Sequence, residues 1–147
     1  MKVSRILQNK GSDLYSVKSG TSLCETMDKM LDHNVTALLV MEGERLDGII
    51  SQKDILKICH ISAKGPKELT VRDFMTRTEL LYTCSKDDTI EKLMDTMTEK
   101  RIKHIPVMEN GKVTGVISIG DIVKNLLDAA RDNNKLLNDY ITGNYPS

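Results

Sequence analysis

Residues 40–55 and 107–122 are two versions of one segment. Aligned 67 positions apart, Asp54 on Asp121, they share eight of sixteen residues: Val40, Met41, Glu42, Gly48, Ile50, Ser51, Asp54 and Ile55 recur as Val107, Met108, Glu109, Gly115, Ile117, Ser118, Asp121 and Ile122. Met27, Asp28 and Met30 recur as Met94, Asp95 and Met97 at the same spacing. Val3 to Leu7 matches Val71 to Met75 one position further apart, so the first copy carries one extra residue between Leu7 and Val17. A repeat of this length is one supersecondary unit used twice. A unit of about sixty residues is too small to be comfortable alone, so each copy needs its twin to finish a core.

Each copy reads as β-α-β-β-α behind a short helical turn. The turns are Val3 to Leu7 and Val71 to Met75, each followed by a brief extended piece, around Tyr15 and around Tyr82. Leu23, Met27, Met30 and Leu31 then fall on one helical stripe, as do Ile90, Leu93, Met94 and Met97. Thr21-Ser22 with Glu25, and Asp88-Thr89 with Glu91, mark the starts of these helices. Two strands follow in each copy: Val35 to Met41 with Leu46 to Ile50, and Ile102 to Met108 with Val113 to Ile117. Asn110-Gly111 is a strong hairpin signal, and Gly43 serves the same loop in copy one. A last helix opens at Ser51 and at Ser118. The expected fold is α+β: two pseudo-symmetric β-α-β-β-α repeats, residues 1–62 and 69–130, packed through two three-stranded sheets. Ser62 to Glu68 is the linker, residues 131–147 are a C-terminal helix and tail, Gly143 stops the helix, and 144–147 read as a loose end.

Composition narrows the function. The 147 residues carry 21 Lys plus Arg and 21 Asp plus Glu. Zero formal charge disfavours nucleic acid and anionic membrane surfaces. No apolar run approaches the roughly 18 residues of a membrane span, and no signal peptide is visible. Cys24, Cys59 and Cys84 are odd in number and far apart, which points to reduced thiols in a cytoplasmic protein. No His/Cys/Asp cluster has metal-ligand spacing, and no nucleophile-base pair or phosphate loop suggests an enzyme. Aromatics are 3% of the chain and Trp is absent, so aliphatic residues and eight Met fill the core.

Lys103-His104-Ile105-Pro106-Val107, then Gly111 to Ile122, and the opening Thr70-Val71-Arg72-Asp73-Phe74-Met75-Thr76, closely resemble a cystathionine-β-synthase (CBS) domain. Ala37-Leu38-Leu39-Val40 and Gly48 to Asp54 resemble the same family in copy one. The resemblance covers roughly residues 1 to 130 and is to a tandem, stand-alone CBS pair, or Bateman module. It implies a regulatory module that senses energy state by binding AMP, ADP or ATP, with S-adenosylmethionine or NADH less favoured. It also implies a homodimer, an unidentified regulated partner, and no required cofactor.

The family's ribose signature, Gly-h-h-[Ser/Thr]-x-x-Asp with h apolar, ends here in Asp54 and in Asp121. A carboxylate can accept both hydroxyls of a ribose diol, and a helix N-terminus offers N–H donors to an anion. The same residues also spell a capping box, in which Ser51 or Ser118 takes a backbone N–H and the Asp offsets the helix dipole. Both readings stay open, and a dimerisation scaffold without ligand is the alternative function. Pseudo-symmetry implies an Asp121 cleft lined by Tyr15, Val35, Thr36, Ile117 and Ser118, with Lys103 reaching in from the neighbouring strand. The Asp54 cleft would be lined by Tyr82, Ile102, Lys103, His104, Ile49 and Ser51. In the family, polar or basic residues at Lys103 and His104 reach phosphates. Copy one has Thr36 and Ala37 there, so the two clefts are not chemically equal.

Overall fold

The computed structural model describes residues 1–11 and 14–143; the tail expected at 144–147 lies outside the described residues. Helix α1 is Val3–Lys10 and strand β1 is Ser16–Val17. Helix α2 (Leu23–His33) leads into the hairpin β2 (Ala37–Glu42) and β3 (Arg45–Ser51), then α3 (Gln52–Ile61). Copy two opens with a 3-10 turn at Val71–Asp73, strand β4 (Thr76–Arg77) and a second 3-10 turn at Thr78–Leu80. Helix α4 (Ile90–Lys100), hairpin β5 (His104–Glu109) and β6 (Lys112–Ser118), and helix α5 (Ile119–Thr142) follow.

The architecture is α+β, with the two hairpins related by the repeat. Both ladders slip register at the same place, between Val40 and Met41 and between Val107 and Met108. The turns differ: Asn110 and Gly111 both have positive φ, whereas in copy one Gly43 carries it. Helix starts are capped locally. Ser22 Oγ accepts from the Glu25 N–H, and Thr89, not Asp88, takes that role in α4 by accepting from Lys92. Asp88 instead accepts from the Ser85 N–H at 2.8 Å. On the helix stripes, Leu23, Thr26 and Met30 are buried, while Leu31 is 78% exposed and Met94 is at the surface. The strict apolar stripe therefore runs one residue too far in α2: Leu31 lies beyond the strip that the sheet covers.

The sheets are not the expected pair of three-stranded units. One has four strands in the order β1-β2-β3-β4, and the other is the β5-β6 hairpin. In copy one, β1 runs parallel to β2, and the Leu39 N–H donates to Tyr15 O at 3.1 Å. The repeat places Pro106 where copy one has Leu39, and Tyr82 where it has Tyr15. Proline has no N–H, so that bond cannot form in copy two. What remains is a single bridge, Cys84 to Val107.

The opening segments exchange places. Val3 and Ile6 of α1 are fully buried in the core of copy two, among Ile90, Leu93, Met97, Ile105, Val107, Ile117 and Ile122. Backbone bonds fix α1 there, from Val3 to Asp88 O and from Ile90 to Met1 O. In return, Leu69 and Val71 complete the core of copy one with Leu23, Met30, Leu38, Val40 and Ile50, and β4 pairs antiparallel with β3. A third apolar cluster, Leu39, Leu46, Ile49 and Val113 with Met41, Met108 and Val116 packed on it, lies between the sheets. The repeated glycines accommodate the exchange. A Cβ on Gly48 would sit 2.3 Å from Thr76 O of β4, and one on Gly115 would sit 2.5 Å from Leu7 Cδ2 of α1.

Candidate functional site

Two clefts lie at the edges of the sheet interface, each at the N-terminus of the helix that follows a hairpin. The Ser-x-x-Asp segments close both helix starts as complete capping boxes. Asp54 Oδ2 accepts from the Ser51 N–H and from Ser51 Oγ, both at 3.0 Å. Asp121 Oδ2 accepts from the Ser118 N–H at 2.9 Å, and the Asp121 N–H donates to Ser118 Oγ at 3.1 Å. Capping holds each carboxylate at its cleft wall.

The Asp54 cleft has a volume of about 530 Å³, inside the usual range for small-molecule sites. Ile49, Ser51, Asp54, Tyr82, Ile102, Lys103 and His104 all line it, together with Thr36, Leu56, Leu80 and Leu81. Lys53, Lys57, Lys100, Arg101 and Lys103 line it as well, so its lining holds five cations and a single carboxylate. Among the described residues no ion pair reaches Asp54. Lys100 Nζ lies 5.8 Å from the centre of the Tyr82 ring. Three of these cations, Lys57, Lys100 and Arg101, do not emerge from the sequence reading. The signal was the basic run Lys100-Arg101-Ile102-Lys103, which sits where α4 ends. Arg101 is the left-handed C-cap of that helix at φ 55, where copy one places Asn34 at φ 52.

The Asp121 cleft is smaller, about 290 Å³, and is lined by Lys10, Tyr15, Val35, Thr36, Ile49, Val116, Ser118, Asp121 and others. Two expectations fail here. Ile117 is fully buried in the copy-two core; residues alternate faces along β6, so Val116 and Ser118 meet the cleft and Ile117 turns away. Lys103 lines the Asp54 cleft and does not line this one. The cation present is Lys10 from α1, whose Nζ is 2.7 Å from Asp121 Oδ2 and 2.7 Å from Val116 O. Burial by itself would raise the Asp121 pKa, but the Lys10 ammonium and the Ser118 donors outweigh it and hold the carboxyl below its ordinary range. Tyr15 stacks on His33 with ring centres 4.1 Å apart.

His104, Thr36 and Ile49 form the partition, since all three line both clefts. Thr36 Oγ1 and His104 Nε2 are 2.9 Å apart. Burial, helped by the charges of Lys10 and Lys103 against the opposing Asp121, pushes the His104 pKa down to about 4, so the imidazole is neutral at pH 7. Of the thiols, Cys59 is exposed and Cys84 buried. Burial, then the Asp88 charge, pushes Cys84 up to about 12, which leaves no thiolate to react at pH 7. Among the described residues no group of three or more His, Cys, Asp or Glu is placed to hold a metal ion. Among the described residues no helix is long and apolar enough to cross a membrane.

Comparison with known proteins agrees with this geometry. The family model "CBS domain" matches residues 4–61 and again 71–128. The chain is 33% identical over 153 residues to the CBS domain-containing protein CBSX3, mitochondrial, of Arabidopsis thaliana, covering 97% of this chain and 73% of that one. The crystal structure of the CBS-domain containing protein ATU1752 from Agrobacterium tumefaciens superposes with a TM-score of 0.80 at 31% identity, over 85% of this chain and 98% of that one. The CBS domain pair of protein MJ0100, solved in complex with 5′-methylthioadenosine and S-adenosyl-L-methionine, shares the fold at a TM-score of 0.74 and 24% identity, over 86% of this chain and 99% of that one. With two matched copies, exchanged openings and paired clefts, the chain belongs to the CBS domain family as a tandem pair.

Proposed function

We propose that the chain is a non-catalytic regulatory module that binds an adenosine nucleotide, AMP, ADP or ATP, in the Asp54 cleft. The carrying observation is a carboxylate without an ion pair among the described residues, fixed by its capping box, in a cavity of about 530 Å³ that five cations also line. Asp54 takes the ribose diol. Lys53, Lys57, Lys100, Arg101 and Lys103 take the phosphates, and Ile49, Ile102 and Tyr82 supply the apolar and aromatic surface for the base. The neutral His104 contributes a hydrogen bond rather than charge. A related pair, MJ0100, was solved with adenosine-containing ligands, which supports the adenosine class. The positive lining favours a phosphorylated nucleoside over the sulfonium of S-adenosylmethionine. Exposed apolar side chains on α2, α3 and α5, among them Leu31, Ile61 and Leu127, suit packing against a second copy. Binding in a homodimer would pass energy state to a partner protein, and the three cysteines suit the cytoplasm.

Thermal shift and calorimetry with AMP, ADP, ATP, NADH and S-adenosylmethionine test this reading. At a hundredfold excess over the dissociation constant, one site adds about 2.7 kcal/mol. Asp54→Ala should weaken binding by about 1.5–3 kcal/mol, the range for a hydrogen bond to a charged group. A flat panel would favour a second reading, a dimerisation scaffold. The observation behind it is that both Asp side chains already serve as helix caps.

A further inference from the structure

The two clefts carry the same Ser-x-x-Asp element, yet only one of their carboxylates is neutralised from within. Helix α1 docks on β6 with Leu7 against Gly115, and Asn9 Nδ2 donates to Asn125 Oδ1 at 3.1 Å. That docking brings Lys10, the last residue of α1, to Asp121 and to the Val116 carbonyl, 2.7 Å from each. The Lys10 side chain is 36% and the Asp121 side chain 22% exposed, so the pair is shielded on the carboxylate side. Copy two offers no counterpart for Asp54. The aligned positions are Arg77 and Thr78. Neither lines the Asp54 cleft, and the Thr78 hydroxyl donates to Leu46 O at 2.6 Å.

We propose that Lys10 is a selectivity element: its ammonium occupies Asp121 and closes that cleft to ribose ligands, so that one nucleotide binds per chain, at Asp54. A diol reaching Asp121 would have to break a charge-assisted bond to a half-buried carboxylate and strand the ammonium against a carbonyl. A neutral diol offers weaker bonds in exchange. The inference rests on the reading of the Asp54 cleft as a nucleotide site, and the experiment separates the two.

Calorimetric stoichiometry with AMP is measured on the full chain and on Lys10→Met, Lys10→Arg, Asp54→Ala and the double variant Lys10→Met/Asp54→Ala, with thermal melts to confirm folding. The expected counts are one site in the native chain and in Lys10→Arg, and two in Lys10→Met. Asp54→Ala should show only weakened residual binding and no site at Asp121. The double variant should regain one site, at least tenfold tighter than any residual binding by Asp54→Ala. Should Lys10→Met prove unstable, Lys10→Gln, alone and with Asp54→Ala, takes its place with the same expected counts. Two sites in the native chain, or one site in both the native chain and a well-folded Lys10→Met, would overturn the latch. If the native chain binds nothing but Lys10→Met binds one nucleotide, the latch stands and the Asp54 reading falls. Silence in all variants overturns both.

Discussion

His104 shows how one side chain joins fold and site. It is held neutral in the wall between the clefts, with its pKa lowered from 6.5 to about 4. Between those two values the unfolded chain carries a proton that the folded chain refuses. Stability therefore falls as the pH drops from 6.5 toward 4, by about 3 kcal/mol in all, and is unaffected by this group above 6.5. Asp121 acts in a lower window: its folded pKa is below 3.8, so its contribution is present above 3.8 and disappears as the pH falls through the folded value. Melting the native chain and His104→Gln from pH 7.5 to 4.5 should show the native protein losing more stability on acidification. Parallel curves would mean that the imidazole protonates freely in the folded state. The glycines make a second comparison. Gly48→Ala drives a Cβ into the backbone oxygen of Thr76, whereas Gly115→Ala meets the end of the Leu7 side chain, which can turn aside. Gly48→Ala should therefore cost about 2–3 kcal/mol, the upper part of the overpacking range, and Gly115→Ala markedly less, as read from denaturant midpoints. At this scale Asp54 and Asp121 are legible because a repeated motif marks them, and His104 because the family resemblance of Lys103 to Val107 includes it. Lys10 and Arg101 stayed hidden because they reach the clefts from segments whose placement depends on the tertiary fold.

Among the elements, the hairpins and the four helices common to both copies were legible, since turn glycines, caps and apolar spacing all act within a few residues. The third strand of copy two was misread, although the sequence contained the reason: Pro106 removes the donor that Leu39 supplies in copy one. Strand β4 gave no usable signal, being two residues long and paired across the repeat boundary. The end of α4 is informative in another way. Arg101 caps the helix in the left-handed region, at φ 55, where Gly or Asn fits with less strain. The same residue lines the cation-rich cleft. Arg101→Gly should raise stability by about 1 kcal/mol in thermal melts and weaken nucleotide binding in the same protein preparation. A variant that loses stability without losing affinity would separate Arg101 from the phosphates.

For the molecule as a whole, the repeat in the sequence and the cores in space do not coincide. The opening helix of copy one completes the core of copy two, and Leu69 and Val71 of copy two complete the core of copy one. Neither copy can keep its apolar interior if cut at the linker, which is the physical form of the mutual dependence expected from its small size. The exchange also places Lys10 of the first copy beside Asp121 of the second, so the wiring of the cores makes the two clefts unequal. This yields a test in which location matters as much as magnitude. Ile6 is fully buried among Ile90, Leu93, Met97 and Ile105. Ile6→Ala should cost about 2–5 kcal/mol, the usual range for such a truncation. Native-state hydrogen exchange would show where the loss falls. If α1 is part of the distant core, amides of α4, β5 and β6 lose protection first, while α2 and β2, in the same copy as Ile6, keep theirs. The opposite pattern would mean that each copy folds on its own opening helix. The asymmetry of the clefts would then need a cause other than the exchange.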